Sequence, residues 1–316
     1  MLTFLSGASK MKTREQGMIE NDRLTQSDAF HGRAVVITGA STGIGAACVQ
    51  RLAQAGFHVF AGVRKAADGV ALQQQATGPI TPLLLDVTDA EQIAAAQTIV
   101  TQLVGVQGLV GLVNNAGIAV GGPLEFLPMN ELRRQMEINV YGALAVTQAF
   151  LPLLRLASGR IVNMSSIAGL AASPFLGPYA ASKYALEALS DALRLEVRPW
   201  GIAVVLVEPG MIATPIWQKG LAFADALEAQ LPSQAHAYYG PIFPFLRAML
   251  ARSRGTPPDV VAKVVEQALT AKQPKARYVV GNDARLRMWI ERLPTRWRDA
   301  LIASRLPKFG KSSNRD

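Results

Sequence analysis

Tyr179 and Lys183 are four residues apart, a spacing that places a phenol and an ammonium group on one face of a helix. The ordinary pKa of a phenol is near 10, and lowering it by two units requires about 3 kcal/mol of differential stabilisation. A cation one helical turn away supplies stabilisation of that kind. The spacing therefore makes Tyr179 a candidate general acid and base, with Lys183 lowering its pKa.

Two serines precede this pair, at Ser165 and Ser166, and Ser166 lies thirteen residues before the tyrosine. A hydroxyl at this position can hold a substrate oxygen and polarise it as charge develops. The alternative is structural: a tyrosine and a lysine that only cover the helix surface, with Ser166 as a helix cap. The other motifs decide between the two interpretations.

A glycine-rich turn lies between a first apolar strand and a first helix, and it contains Gly39, Ser41, Thr42, Gly43, Ile44 and Gly45. Glycines permit a tight turn and allow a pyrophosphate to approach the backbone. The following helix N-terminus supplies free N–H groups and positive potential. The turn therefore predicts a dinucleotide-binding site.

The same turn, residues 39–43, also matches G-x-S-x-G, the nucleophile elbow of α/β hydrolases. A hydrolase of this kind needs an acid and then a histidine downstream. The chain has His31, His58 and His236, of which His58 opens the second strand and His236 lies in an irregular segment. His58 follows the serine too closely for a catalytic triad, and His236 lies outside the regular elements. A serine hydrolase is therefore kept only as the alternative function.

Short apolar strands alternate with helical patterns from Ala34 onward, which is typical of a parallel sheet covered on both faces. Strands are predicted at Ala34–Thr38, His58–Val63, Thr81–Leu85, Leu109–Val113, Arg160–Met164, Ile202–Val207 and Arg277–Val280. Helices are predicted at Gly43–Ala55, Asp89–Leu103, Asn130–Leu156 and Pro178–Arg198.

With Asn114-Asn115-Ala116-Gly117 after the fourth strand, these motifs resemble the short-chain dehydrogenase/reductase family over residues 32–214. The resemblance implies an α/β fold, a Rossmann-type doubly wound parallel sheet of about seven strands with helices on both faces. It also implies an NAD(P)-dependent oxidoreductase that transfers hydride between a nicotinamide and an alcohol or carbonyl. A regulator that binds dinucleotide without turnover is a further alternative, and an intact catalytic set argues against it.

The resemblance assigns roles residue by residue. Its catalytic set is Tyr179, Lys183, Ser166 and Asn139, with Lys183 also bonding the nicotinamide ribose and Asn139 steadying a water in a proton relay. Besides the glycine turn, Tyr179 and Lys183, it places these residues at the cofactor: Asp86 and Val87 at the adenine, Asn115, Ala116 and Gly117 after strand four, and Pro209, Gly210 and Thr214 near the nicotinamide. Asp86 is alternatively an N-cap, and Asn115 is expected to be mainly structural. No metal site is expected.

The end of the second strand bears on the choice of nicotinamide. An acidic residue there would bind the adenosine 2′-hydroxyl and repel a 2′-phosphate. Val63 occupies that position, and Arg64 follows with a guanidinium suited to phosphate. The sequence therefore favours NADP(H) over NAD(H).

An insertion at about residues 211–257 is predicted to form a substrate lid on a single oxidoreductase domain spanning residues 32–284. Its apolar and aromatic residues, among them Trp217, Phe243 and Phe245, indicate a bulky lipophilic alcohol or ketone as substrate. Alternatively they complete the core or a subunit contact. The wider sequence resembles the branch of 17β-hydroxysteroid, retinol and hydroxybutyrate dehydrogenases, which implies a steroid-, retinoid- or lipid-like substrate and a homodimer or homotetramer.

Composition excludes several other classes of protein. The 316 residues are 50% hydrophobic and carry a net charge of +9, of which +6 lies in residues 285–316, so a nucleic-acid-binding body is not expected. The lone Cys48 excludes an internal disulfide framework and is predicted to be a buried packing residue. Residues 1–31 are expected to be a solvated, disordered tail, and the cytoplasm is the expected compartment.

The basic C-terminal extension, residues 285–316, has an amphipathic pattern in its first part, residues 285–311. Leu286, Ile290, Leu293, Trp297 and Leu301 recur at three- and four-residue spacing with arginines between them. Such a stripe can lie peripherally in a membrane interface, or it can pack on the domain or a neighbouring subunit. The sequence leaves both open, and Pro294 predicts two short helices rather than one.

Overall fold

Seven parallel strands form one sheet in the computed structural model, which describes residues 32–252 and 255–307. The strands are β1 Ala34–Ile37, β2 His58–Val63, β3 Ile80–Leu84, β4 Gly111–Asn114, β5 Arg160–Met164, β6 Ala203–Pro209 and β7 Arg277–Val280. Their order is β3-β2-β1-β4-β5-β6-β7, so the chain reverses direction of winding between β1 and β4. Ligands of doubly wound sheets bind at the carboxyl ends of the strands at such a switch point.

Helices cover both faces of the sheet. They are α1 Gly43–Gln54, α2 Ala66–Gln75, α3 Ala90–Val104, α4 Met129–Met136, α5 Ala143–Leu156, α6 Gly177–Glu196, α7 Pro215–Gln230, α8 Ser233–Tyr239, α9 Ile242–Arg252, α10 Pro258–Thr270, α11 Asn282–Glu291 and α12 Thr295–Ala303. The predicted fold class is confirmed, and every predicted strand is present with its bounds shifted by two residues at most.

The sequence patterns missed α2. Its polar residues and Gly69 give it a weak apolar face, so no helical periodicity stands out. Gly69 lies against β3, where a Cβ would approach Pro82 Cβ to 2.6 Å. The contact with the sheet, rather than an amphipathic pattern, positions this helix.

The helix predicted at Asn130–Leu156 is interrupted by a π-helical segment at Glu137–Gly142, between α4 and α5. Such segments often accompany functional sites. By length and composition the stretch Met129–Leu156 would suit a membrane span. Half of its most apolar window is buried within the protein, however, and it packs against β4, α3 and α6 as a core helix does.

The main core lies between β1, β2, β4, β5, β6 and the helices α1 and α10. Cys48 is buried within it, as predicted, and burial raises the pKa of its thiol to about 12. A second cluster lies in the insertion, where Leu227, Ile242 and Phe243 pack with Val120 and Leu127.

The C-terminal extension forms α11 and α12, and Pro294 caps the second of these helices. The prediction of two short helices is thus confirmed, although α11 begins at Asn282, three residues before the expected boundary. Residues 1–31, predicted to be a tail, and the end of the extension from residue 308 lie outside the described residues.

Candidate active site

Tyr179 and Lys183 lie in the first two turns of α6 and face the carboxyl end of β5. Lys183 Nζ donates a hydrogen bond to the Met164 carbonyl at 2.7 Å. The Ser166 hydroxyl interacts with the Tyr179 phenol, and all three side chains are more than nine-tenths buried. The residues predicted from spacing to act together are therefore adjacent in the fold.

The expectation that Lys183 lowers the pKa of Tyr179 is not met in the structure. Burial raises the pKa of Tyr179, and the Ser166 hydroxyl lowers it by less. The physical reason is that Lys183 Nζ is held at the Met164 carbonyl, 5.8 Å from the centroid of the tyrosine ring. Burial also lowers the pKa of Lys183 to about 8, so its charge is easily lost.

Ser166 has a structural contact as well as a place in the site. Its Oγ accepts a hydrogen bond from Ala168 N at 3.1 Å and caps a short 3₁₀ turn, Ile167–Gly169. Ser166 is therefore a cap, which the sequence analysis considered as an alternative, and it also lines the cavity.

A cavity of about 370 Å³ runs from the glycine turn to Tyr179. Sixteen of the predicted cofactor positions and Ser166 line it: Gly39, Ser41, Thr42, Gly43, Ile44, Arg64, Asp86, Val87, Asn115, Ala116, Gly117, Tyr179, Lys183, Pro209, Gly210 and Thr214. Gly45 and Asn139 are not among its lining residues.

The glycine turn is shaped by two close approaches. Gly39 has a φ of +62°, and a Cβ there would lie 2.8 Å from Ala116 Cα. A Cβ on Gly45 would lie 2.2 Å from the Gly39 carbonyl oxygen. Gly45 therefore does not line the cavity. Its lack of a side chain lets the first turn of α1 pack against the glycine turn, so that the N-terminus of α1 faces the cavity.

The N-terminus of α1 fits a pyrophosphate. Thr42 is the N-cap residue, but its side chain forms no capping hydrogen bond, and the first turn contains no acidic residue. The first N–H groups of a helix lack partners within the helix and carry positive potential. The end of α1 thus offers an anion donors without a competing carboxylate.

Asn115 holds the loops together, which agrees with the structural role expected of it. Its Nδ2 donates to the carbonyl oxygens of Thr38 and Gly39, each at 3.0 Å. The Thr38 hydroxyl in turn accepts hydrogen bonds from the backbone N–H groups of Asn115 and Ala116. Thr38, which the sequence analysis did not single out, thus fixes the loop after β4 against the glycine turn.

The Asn139 side chain does not face the cavity. It forms hydrogen bonds with both backbone groups of Ile118, at 2.9 and 3.0 Å, and donates to Ser182 Oγ at 3.0 Å. The fully buried Gln135, which sequence reasoning missed, binds Ile118 and Val120 in the same way. These contacts give the Asn139 side chain a positioning function, and its place in a proton relay stays a prediction.

The adenine end of the cavity carries Val63, Arg64 and Asp86. Arg64 is exposed and has no ion pair with any described residue, which leaves its guanidinium available to a phosphate. Asp86 Oδ1 accepts two hydrogen bonds from Thr88, and the N-cap of α3 is Asp89 instead. The alternative that Asp86 caps this helix was therefore wrong.

The predicted nicotinamide end of the cavity depends on a contact from the first turn of α11. Asp283 Oδ2 accepts a hydrogen bond from Met211 N at 2.6 Å. A Cβ on Gly210 would lie 2.2 Å from the same carboxylate, so a larger residue at this position would displace the Asp283 side chain. Thr214, the N-cap of α7, lies over the glycine turn, where a Cβ on Gly43 would approach its side chain to 3.0 Å.

Comparison with known proteins agrees with this geometry. Residues 33–223 match the profile of the family described as short chain dehydrogenase. The chain belongs to the short-chain dehydrogenase family. An NADPH-dependent 3-dehydrocapnine reductase from Ornithobacterium rhinotracheale is 38% identical over 78% of this chain and 88% of its own length. Retinol dehydrogenase 5 from Mus musculus is 37% identical over 93% of each chain.

Among solved structures, a short chain dehydrogenase from Burkholderia cenocepacia in complex with NADP has a TM-score of 0.66 at 26% identity, over 89% of this chain and 100% of its own. As a member of the short-chain dehydrogenase family, the protein is an oxidoreductase. The branch expected from the sequence is confirmed by the similarity to retinol dehydrogenase 5 and to 17-beta-hydroxysteroid dehydrogenase type 6 from Bos taurus, 36% identical over 87% of this chain and 89% of its own length.

The hydrolase alternative gains no support from the described residues. Ser41 lines the cavity, but neither His58 nor His236 does. His58 Nε2 lies 2.8 Å from the hydroxyl of Thr81. His58 pairs with Ala34 at the start of β1, whereas the motif follows the end of that strand. His31 lies outside the described residues.

Proposed function

We propose that this short-chain dehydrogenase transfers hydride between NADP(H) and the hydroxyl or carbonyl group of a lipophilic substrate. The observation that supports this proposal most directly is the single cavity shared by the glycine turn, Ser166, Tyr179 and Lys183. A dinucleotide bound along the turn would end beside the three polar side chains.

In this proposal the nicotinamide supplies hydride to a carbonyl carbon, or accepts it from the alcohol in the reverse direction. Ser166 donates a hydrogen bond to the substrate oxygen and stabilises the charge that develops there. Tyr179 transfers its phenolic proton to that oxygen during reduction and takes it back during oxidation. Lys183, as an ammonium group, would bind the nicotinamide ribose, the second role that the family resemblance gives it.

The direction of the Tyr179 pKa has a consequence for this chemistry. Burial raises that pKa, so the phenol is the dominant form in neutral solution. A protonated tyrosine is ready to donate in the reductive direction, whereas oxidation of an alcohol first requires its deprotonation.

The preference for NADP(H) rests on charge. Arg64 is an exposed guanidinium at the adenine end, and Val63 supplies no carboxylate to repel a 2′-phosphate. Two relatives support the same cofactor, since one is named NADPH-dependent and the other was solved with NADP.

A lipophilic substrate is supported by the nicotinamide end of the cavity. Its lining there is apolar and includes Ile118, Ile212, Ile216, Trp217 and Phe223. Apolar walls with a few polar groups at the reacting centre are typical of sites for apolar ligands. The names of retinol and 17-beta-hydroxysteroid dehydrogenases among the relatives agree with such a substrate.

The exposed face of α11 and α12 supports contact with an anionic membrane. Leu286, Trp289 and Trp297 are 59%, 66% and 68% exposed, respectively. Arg292 lies over the Trp289 ring, 4.7 Å from its centroid, so cation and aromatic group share one surface. Tryptophan beside arginine suits the interface between headgroups and acyl chains.

We propose a cytoplasmic location from the sequence, and assembly as a homodimer or homotetramer from the family resemblance. Tyr184 and Leu195, eleven residues apart and therefore on one side of α6, are exposed and provide an apolar surface for a second copy of the chain. Light scattering after size-exclusion chromatography tests the oligomeric state directly.

The proposed activity is tested by following nicotinamide absorbance with a panel of alcohols and ketones, long and short, with each cofactor. We expect turnover with NADP(H) that rises with the apolar size of the substrate. Turnover of esters without cofactor would instead indicate the hydrolase, and cofactor binding with no turnover of any substrate would indicate the regulator.

A further inference from the structure

Three consecutive residues at the end of β5 each meet one residue of α6, and the α6 residues are one helical turn apart. Ser166 interacts with Tyr179, and the Met164 carbonyl accepts from Lys183 Nζ. Between them, Ser165 lies beside Glu187, the residue one turn beyond Lys183. The site thus continues inward by one further turn of the helix.

Gly169 permits this convergence. A Cβ at Gly169 would lie 2.9 Å from Ser165 Oγ, 3.1 Å from Glu187 Cγ and 3.1 Å from the Lys183 carbonyl oxygen. The 3₁₀ turn therefore packs directly on the acid and on the backbone of the lysine. Glu187 is 5% exposed, so its charge is felt in a poorly hydrated environment.

Arg277 on β7 holds the acid from the other side. Its Nη2 lies 3.1 Å from Glu187 Oε2 and 2.7 Å from Asp191 Oδ2. Its Nε lies 3.1 Å from Oε1 of Glu208, a fully buried residue of β6. One guanidinium therefore serves three carboxyl groups, contributed by α6 and β6.

The balance of charge around Lys183 depends on this cluster. Burial lowers the pKa of Lys183 to about 8, and Glu187 raises it. Burial raises the pKa of Glu187, while Ser165 and Arg277 lower it. Burial and the neighbouring Glu187 raise the pKa of Glu208 to about 7, so Glu208 keeps its proton more readily than an exposed glutamate does.

We propose that Glu187 is a positioning residue: paired with Arg277 and one helical turn beyond Lys183, it supplies the negative charge that compensates the buried Lys183 ammonium group. A buried ammonium group is costly unless a charge or several hydrogen bonds compensate it. The Met164 carbonyl provides one hydrogen bond, and Glu187 lies four residues beyond Lys183, on the same face of α6. This inference rests on the proposed function, in which Lys183 acts as a cation.

The groups that face Glu187 define what the variants must leave intact. They are Lys183 and Asp191 on its own helix, Ser165 after β5, Glu208 on β6 and Arg277 on β7. Replacing Glu187 by Gln keeps the shape and the hydrogen-bonding atoms but removes the charge. Asp191→Asn is the matched control, since it removes another Arg277 partner, one that is 42% exposed and lies a further helical turn from Lys183.

The first readout is the pH profile of kcat/KM for alcohol oxidation. In Glu187→Gln the limb that falls at high pH moves to lower pH, because Lys183 loses its proton sooner. Activity at about pH 9 falls on the order of 10-fold while activity at about pH 6.5 stays near that of the unchanged enzyme, as expected for loss of one adjacent charge. Asp191→Asn keeps the original profile.

The second readout is independent of activity: titration of the Lys183 side chain by carbon-13 NMR in the full-length protein. A fall in the Lys183 pKa in Glu187→Gln supports the inference, and an unchanged pKa overturns it. If that pKa falls but the activity profile does not move, the inference holds and the cationic role of Lys183 in the proposed function fails. Should Glu187→Gln not fold, the double variant Glu187→Gln with Arg277→Met removes the buried pair together, and the same titration decides.

Discussion

The indole of Trp217 meets the ring of Tyr179 edge-on, with 6.1 Å between the ring centroids. Trp217 lies in the first turn of α7 and lines the cavity, so the insertion contacts the proposed acid and base itself. Phe243, in the same insertion, is 1% exposed and packs within the second apolar cluster instead. The expectation that Trp217, Phe243 and Phe245 line the substrate pocket was therefore wrong for the two phenylalanines, because α9 turns them toward this cluster.

This difference predicts opposite results for two alanine variants. Trp217→Ala should raise KM for large apolar substrates more than for short alcohols, since less apolar surface is buried around the substrate. Phe243→Ala should instead lower the free energy of unfolding by about 3–5 kcal/mol, as for a large core side chain. Steady-state kinetics and urea unfolding of both variants are the measurements; equal losses in both assays would remove the distinction.

Tyr179→Phe keeps the ring that packs on Trp217 but removes the proton donor. We expect activity to fall by at least about 100-fold, the usual effect of losing a general acid and base. Folding and cofactor binding should be nearly unchanged, whereas Lys183→Ala should lower turnover and also weaken cofactor binding. Turnover, thermal unfolding and cofactor titration are compared; near-normal turnover in Tyr179→Phe would contradict the catalytic assignment.

Replacing Val63 by Asp together with Arg64→Leu should change the preferred cofactor. The new carboxylate would lie where a 2′-phosphate binds, and the guanidinium that pairs with the phosphate would be lost. The ratio of kcat/KM values should move toward NAD(H) by about 2–4 kcal/mol. An unmodified enzyme that already prefers NAD(H) would show that the interpretation of Arg64 is wrong.

The stability of the protein should depend on the Glu208 proton. Its pKa of about 7 in the folded protein lies above the ordinary value of 4.5. Between these values the unfolded chain has released the proton that the folded protein retains, so the free energy of unfolding falls as pH rises. Glu208→Gln should therefore match the original stability at about pH 4 and exceed it by about 1–3 kcal/mol at pH 8, a range that allows for the loss of the ion pair with Arg277.

Urea unfolding at several pH values measures this effect, and Asp191→Asn is a suitable comparison. The pKa of Asp191 is lowered by its hydrogen bond to Arg277, the opposite direction from Glu208. Its carboxylate therefore contributes stability above the ordinary pKa that is lost as pH falls through the folded value. Parallel pH profiles for Glu208→Gln and the unchanged protein would contradict the prediction.

Membrane contact should depend on the tryptophans of α11 and α12. Changing Trp289 and Trp297 together to Ala should abolish salt-sensitive sedimentation with anionic vesicles at low ionic strength. Trp200→Ala is the matched control, since Trp200 is also exposed and stacks with Arg155 at 4.5 Å, but on another surface. If the unchanged protein does not bind vesicles at low salt, the proposal of membrane contact is wrong.

Substitution is preferable to truncation before Arg285, because α11 contributes to the fold. Ala284 is fully buried, and Arg287 Nη2 donates to the Ala172 carbonyl at 2.7 Å. Asp283 holds Met211 beside the nicotinamide turn. A cut at this point would therefore perturb the site as well as the exposed face.

The sequence by itself determined the parallel sheet, the glycine turn and the order of the catalytic motifs. These features are local. Neighbouring residues determine the strand and helix periodicity, the strand-turn-helix junction and the four-residue spacing. The likeness of the motifs to one family then implied which side chains share a cavity, and the fold brings them together.

Only the tertiary structure decided how those side chains are surrounded. Asn139 points at the Ile118 backbone, although the family resemblance placed it in the chemistry. The Lys183 ammonium is held away from the Tyr179 ring, although the four-residue spacing predicted that it acts on the phenol. Glu187, Glu208 and Arg277 come from three different elements, of which β7 lies far along the chain from α6 and β6. Burial and pairing of charges depend on such distant contacts, and desolvation changes a pKa only where the folded chain excludes water, which no local pattern specifies.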